Sequence, residues 1–265
     1  RTNIILWIEE PSIMYRLTHY AILCPLGGLL ISGLSYVNQG FPFPPQLEKF
    51  YIPIGVGIIL GGLIASYLNM ILRNNEKSQA FFINLIETLA AALDERDTYT
   101  NGHSRRVTQL ASALGRKVGL NNDDLKTLQL AGILHDIGKI GVTDSVLLKE
   151  GKLNEEEYAV IKQHPVQGKR ILKNLHDPRM KPIIRAILHH HERYDGAGYP
   201  DGLRAEDIPL LSRIIAVVDT YDAMTSTRPY RKEMSKGVAL KEIEKNSNTQ
   251  FDPNIALAFV NLMRE

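Results

Sequence analysis

Four of the chain's 8 histidines sit in two short patches. One is His135-Asp136, followed by Lys139; the other is His189-His190-His191-Glu192, which leads into Asp195-Gly196-Ala197-Gly198-Tyr199-Pro200. Adjacent imidazole and carboxylate groups are costly to bury unless charge and lone pairs are met together, and a bound metal ion meets both. His103, His164 and Asp219 extend the set of candidate ligands. Taken singly, His103 in Gly-His-Ser reads equally well as a surface or capping histidine, and His164 before Pro165 is no more telling. Asp136 and Asp219 are harder to dismiss, because an unpaired carboxylate on an apolar helix costs on the order of several kcal/mol. One metal centre accounts for all of them. His103, His135, Asp136, His164, His190, His191 and Asp219 exceed the ligand set of a single zinc ion. Mixed nitrogen and oxygen donors in this number suit two octahedral ions such as iron or manganese, with Asp136 as a bridge. Such a pair activates a hydroxide between the ions and clamps a phosphodiester. His189 is left out, since three consecutive helical residues cannot face one site; it is read as supporting or structural, and His19 and His176 as unrelated.

No spacing of two or three residues unites these side chains, so a helical bundle must do so. The punctuation is that of an all-α fold without alternating strands. Gly119 ends one helix, and Asn121 or Asn122 caps the next, which carries Asp123 and Asp124 in its first turn and runs to His135-Asp136. Asn154 with Glu157 predicts a capping box for the helix bearing His164. Pro182 suits the first turn of the helix that ends at the histidine run. Leu211 to Ser226 is apolar at helical period and carries Asp219, Asp252-Pro253 opens a final helix, and Asp195 to Leu210 is a loop.

Upstream the composition changes. Residues 17–37 carry only His19 as an ionisable imidazole, and residues 52–72 carry no charge. Both have about the ~20 residues needed to cross a bilayer as helices. They predict a two-helix transmembrane hairpin over 17–72, with spans of about 17–37 and 52–72. A segment 1–16 precedes it, a connecting helix 73–96 follows, and Gly57 and Gly61 form a GxxxG pair. Arg1 and Arg16 before the first span, with Arg73 and Lys77 after the second, put both ends in the cytoplasm. The apolar runs are too long for a signal peptide. A chain that starts at Arg1 reads as a fragment. A net charge of +2 gives no field for a nucleic-acid polymer, and the single cysteine, Cys24, excludes an internal disulfide.

His135-Asp136-Ile137-Gly138-Lys139 resembles the motif of the HD superfamily of metal-dependent phosphohydrolases. The run from His190 to Pro200 resembles its HD-GYP subgroup, named for residues matching Gly198-Tyr199-Pro200. Asp94-Glu95-Arg96-Asp97, Gly102-His103-Ser104, His164-Pro165, Asp219 to Thr225 and Arg228-Pro229-Tyr230-Arg231 match as well, so the resemblance covers about 83–265. It implies an HD-type helical bundle in a bacterial inner-membrane protein whose catalytic domain faces the cytoplasm. The implied activity is hydrolysis of cyclic di-GMP to linear pGpG, or on to GMP, by a hydroxide bridging two divalent ions. The seven residues above would be the ligands, with Asp136 and Lys139 catalytic. Lys139, Arg228, Arg231, Tyr199 and Tyr194 would contact substrate. The Gly-Tyr-Pro turn implies contact with diguanylate cyclase domains, and a homodimer is compatible. Some members place a glutamate four residues before the histidine matching His103; Tyr99 stands there, which implies two ions and pGpG as the final product. A cyclic di-GMP receptor without turnover, or a hydrolase of another guanine nucleotide, are the alternatives.

Overall fold

The computed structural model describes residues 13–38, 51–96, 102–149, 151–226 and 233–265. The proline-bearing connector, Tyr99, Arg228, Tyr230 and Arg231 lie outside the described residues. The described part is helical, with one isolated bridge, Ser247 to Phe251, and no strand. Two compact units are present, Trp7–Asn84 and a larger one covering Leu85–Glu265.

The first unit holds α1 (Ile13–Asn38) and α2 (Tyr51–Arg96) as far as Asn84, and both helices are long and apolar enough to cross a membrane. Large apolar side chains face outward along them, with Leu29 72% and Ile52 79% exposed, where water would disfavour them. Glycine brings the two backbones together. A Cβ on Gly57 would collide with the Gly27 carbonyl, and one on Gly61 with the Leu23 carbonyl, so the GxxxG pair lies at the helix crossing. His19 Nδ1 to Asn69 Oδ1 and Tyr20 Oη to Ser66 Oγ, 3.0 Å each, add polar ties. The second apolar run and the expected connecting helix form one uninterrupted helix of 46 residues, with no proline or glycine from Leu63 to Arg96 to break it.

The second unit packs α3 (His103–Lys117), α4 (Asn122–Leu134), α7 (His164–Leu172), α8 (Met180–Leu188) and α9 (Leu210–Thr225) around Leu114, Leu128, Ile187, Ile214 and Ile215. The short α5 (Asp144–Leu147) and α6 (Glu155–Ile161) lie between α4 and α7 in sequence, and α10 (Lys236–Lys245) and α11 (Pro253–Arg264) pack on α9. The expected helix ends are present. Asn121 accepts from the Asp123 and Asp124 N–H groups, Asn154 and Glu157 form the capping box, and Asp252 caps α11 with Pro253 in its first turn.

Two expectations need correction. The capping box does not open the helix bearing His164: α6 stops at Ile161, and α7 starts at His164. Pro165 has no N–H to give a continuing helix but fits a new first turn. The histidine run is not helical either. Helix α8 ends at Leu188, and His189 to His191 form a turn. That turn lets both His190 and His191 reach one site.

Candidate metal centre

Five segments bring the seven expected ligands together. His103 opens α3, His135 and Asp136 follow the end of α4, His164 opens α7, His190 and His191 follow α8, and Asp219 sits inside α9. Four of these placements are helix ends, where side chains can project past the neighbouring backbone. His103, His135, His164 and His190 are buried to 3% exposure or less. Donor atoms of His164, His190 and His191 lie within 4.8 Å of one another, as do those of His103, His135 and Asp136, and those of His135, His190 and Asp219. His189 stands apart: Nδ1 donates to the Arg185 carbonyl, and Nε2 meets Asp201 Oδ2 at 2.9 Å.

The rear hydrogen bonds decide which nitrogen faces inward. His135, His164 and His190 each place Nδ1 on the carbonyl three residues back: Gly132 at 2.8 Å, Ile161 at 2.8 Å and Ile187 at 2.6 Å. A carbonyl only accepts, so Nδ1 carries a proton, and in a neutral ring Nε2 is then the lone pair that faces inward. Burial holds His164 and His190 below the ordinary imidazole range, which keeps them neutral. Yet their Nε2 atoms face each other at 3.3 Å. Two lone pairs at that distance repel, and a cation shared between them removes the conflict. His103 makes the same point differently. Burial presses its basicity down, but Asp219 and Asp222 override it and push the group up to about 10. Its Nε2 faces His135 Nε2 at 3.2 Å and Asp219 Oδ1 at 3.3 Å. Positive charge is what this place demands, and the donor set fits metal.

Asp136 presents one oxygen to each part of the cluster. Oδ1 lies 3.2 Å from His164 Nε2; Oδ2 lies 3.4 Å from His135 Nε2 and 3.9 Å from His103 Nε2. Lys139 Nζ lies 2.7 Å from Oδ2. Burial would raise both Asp136 and Asp219. Lys139 and the imidazoles hold Asp136 well below the usual carboxylate range, and His103 does the same for Asp219.

Several supporting residues were not assigned from sequence. Asp222 Oδ2 accepts from His103 Nδ1 at 2.7 Å, and Arg106 grips both Asp222 oxygens at 2.6 and 2.9 Å. Arg106 lies three residues beyond His103, the one local signal that could have found it. Asp94 accepts from the backbone and hydroxyl of Ser104, next to His103. Arg96 donates to the carbonyls of Lys139, Ile140 and Val142, bracing the turn that carries Lys139. Gly138 is required there, because a Cβ would strike the His164 carbonyl. Glu192 accepts from the N–H groups of Asp201, Gly202 and Leu203, and a Cβ on Gly198 would strike the Arg193 nitrogen. Together these hold the Gly198-Tyr199-Pro200 turn over the histidines.

The cluster opens into a cleft of about 480 Å³. His103, Asp136, Lys139, His164, His191 and Asp219 line it, with Lys162, Arg193 and Tyr199. Tyr199 stacks on His191, centroids 4.9 Å apart at 30°. Burial raises its phenol, so it stays protonated. Tyr194 is not among the lining residues; its hydroxyl donates to Glu206 at 2.9 Å.

A family model described as HD domain matches residues 87–255. A cyclic di-GMP phosphodiesterase of Thermotoga maritima is 39% identical over 185 residues, 70% of this chain and 50% of that protein. A 3'3'-cGAMP-specific phosphodiesterase of Vibrio cholerae is 34% identical over 201 residues, 73% of this chain and 43% of the relative. The chain thus spans half or less of the length of these relatives. Among solved structures, a cyclic GMP-AMP specific phosphodiesterase of V. cholerae shares the fold with a TM-score of 0.55 at 23% identity, covering 68% of this chain and 48% of that one.

Proposed function

Because the chain belongs to the HD domain family, we propose that it is a metal-dependent phosphodiesterase that hydrolyses cyclic di-GMP to linear pGpG. The observation that carries this reading is the gathering of five imidazoles and two carboxylates in one cluster beside the cleft, with the rear nitrogens of His135, His164 and His190 pinned so that Nε2 points inward. His103, His135, Asp136, His164, His190, His191 and Asp219 would hold two ions, iron or manganese by donor type, with Asp136 shared. When bound, such ions supply Lewis acidity and a water of lowered pKa. The rest falls to the chain's own groups. Lys139 places its ammonium beside Asp136 and meets negative charge growing on the phosphate. Tyr199 offers a neutral ring and a hydroxyl donor at the cleft wall. Arg228, Arg231 and Tyr194 are proposed substrate contacts on the motif match.

The two apolar helices are proposed as a membrane anchor, with Arg73 and Lys77 on the cytoplasmic side. Contact with diguanylate cyclase domains and a homodimer rest on the resemblance. The V. cholerae relative supports a second substrate, cyclic GMP-AMP. The deciding experiment incubates the full chain in detergent with manganese or ferrous iron and each cyclic dinucleotide, and resolves products by chromatography. Metal-dependent pGpG formation is expected. Tight binding without turnover would turn the assignment into a receptor, and preference for cyclic GMP-AMP would replace the substrate.

A further inference from the structure

A cyclic dinucleotide carries two phosphodiesters, and only one can meet the histidine cluster. The other brings a negative charge into the same cleft and needs its own partner. Three lysine and arginine side chains among the described residues line that cleft. Lys139 is paired with Asp136 at 2.7 Å. Arg193 is paired with Asp195 through contacts of 3.1 and 2.6 Å. Lys162 has no carboxylate within ion-pair distance among the described residues. Its ammonium lies instead over two aromatic rings, 4.8 Å from the centroid of Tyr158 and 5.6 Å from that of Tyr199.

We propose that Lys162, held between Tyr158 and Tyr199, binds the second phosphate of the cyclic dinucleotide, the one that is not cleaved; this rests on the substrate reading above. The rings attract a cation without neutralising it, so the ammonium is kept in place with its charge available. Restraint matters, because a free lysine side chain gives up rotamer freedom when it is fixed. Tyr199 also stacks on His191, so the position of Lys162 is referenced to a proposed metal ligand. The break between α6 and α7 that sets His164 also sets Lys162, which caps α6 two residues earlier.

The test compares a substrate with two phosphates against one with a single diester. The ratio of kcat/KM for cyclic di-GMP to that for bis(4-nitrophenyl) phosphate is measured on the full chain and on Lys162→Ala. A charged contact is worth about 1.5–3 kcal/mol, so the ratio should fall roughly tenfold to a hundredfold, mainly through KM for cyclic di-GMP. Lys162→Arg should restore most of it, and Tyr158→Leu should lower it less than Lys162→Ala. Metal content and melting temperature, read alongside, identify a variant that has lost its fold; Lys162→Gln then takes its place. An unmoved ratio, or equal losses on both substrates, overturns the inference. A parent protein that cleaves the single diester but neither cyclic di-GMP nor cyclic GMP-AMP overturns the substrate reading, and the inference with it.

Discussion

His103 and His164 are both buried, each opens a helix, and each turns Nε2 toward Asp136, yet their basicities move in opposite directions. His103 is pushed up to about 10, whereas His164 is lowered. The difference lies in the carboxylates that meet the rings: Asp219 in front of His103 and Asp222 behind it both raise that group, Asp219 more strongly. His103 leans on Asp222, a full charge clamped by Arg106, while His164 leans on the neutral carbonyl of Ile161. Equal burial with unequal carboxylate partners gives one electron-rich, proton-hungry ligand and one plainly neutral ligand. It also gives two kinds of vulnerability. The His103 support can be removed by changing a side chain; the His164 support belongs to the backbone and yields only to changes that move the chain.

Asp136 is common to both sides, so its loss should have the largest effect. Asp136→Ala should lower hydrolysis by roughly a thousandfold or more, at or beyond the loss of a single electrostatic donor, and metal analysis should find both ions gone. A variant that still holds one ion would show that the two sides do not depend on a shared carboxylate. Gly138→Ala attacks the backbone-supported side. The added Cβ meets the His164 carbonyl, so α7 must shift, at a cost of about 1–3 kcal/mol. Metal affinity should fall together with melting temperature, and a variant with parental melting and metal content would break the claim that this side is governed by chain position.

Which parts of this centre were legible in the sequence follows from the range of the forces involved. Asp136 and Asp219 stand out on apolar helices, and Asn121, Asn154 with Glu157, and Asp252 announce helix starts through contacts two or three residues away. Asp222 gives no such local sign as a support for His103, because its partner is 119 residues distant. Lys162 is similar: its meaning depends on Tyr199 crossing the cleft. Nothing in the sequence of the histidine run marks a helix stop, so the turn at His189 to His191 has no local sign. The start of the helix bearing His164 is hidden in the sequence, because the capping box of α6 lies only a short helix upstream of it.

Asp222→Asn tests the charged side directly. The amide still accepts a hydrogen bond from His103 but gives no charge, so metal affinity and activity should fall about 10–100-fold with little change in melting temperature. Parental metal affinity would mean that His103 needs only orientation and not charge. Arg106→Lys is a gentler form of the same test. It keeps the charge but loses the paired contacts of 2.6 and 2.9 Å on Asp222, so a loss of only a fewfold is expected.

The smallest effect is on the metal-free protein, and its sign differs on the two sides. His103 is raised above its unfolded value of about 6.5, so the stability it contributes is complete below that pH and is lost as pH rises toward about 10. His191 behaves in the opposite sense. Burial pushes it down to about 3, so between 6.5 and 3 the unfolded chain binds a proton that the folded chain does not. Stability from that side is present above 6.5 and is lost as pH falls. The metal-free melting temperature should therefore peak near pH 6.5 and decline by several degrees on either flank, at about 2–4 °C per kcal/mol for a chain of this size. Asp222→Asn should make the alkaline flank shallower without abolishing it, because Asp219 still raises His103, and should leave the acid flank in place. Loss of the acid flank in that variant would mean that the two sides titrate as one coupled set, and the contrast between His103 and His164 would then belong to the cluster rather than to their separate partners.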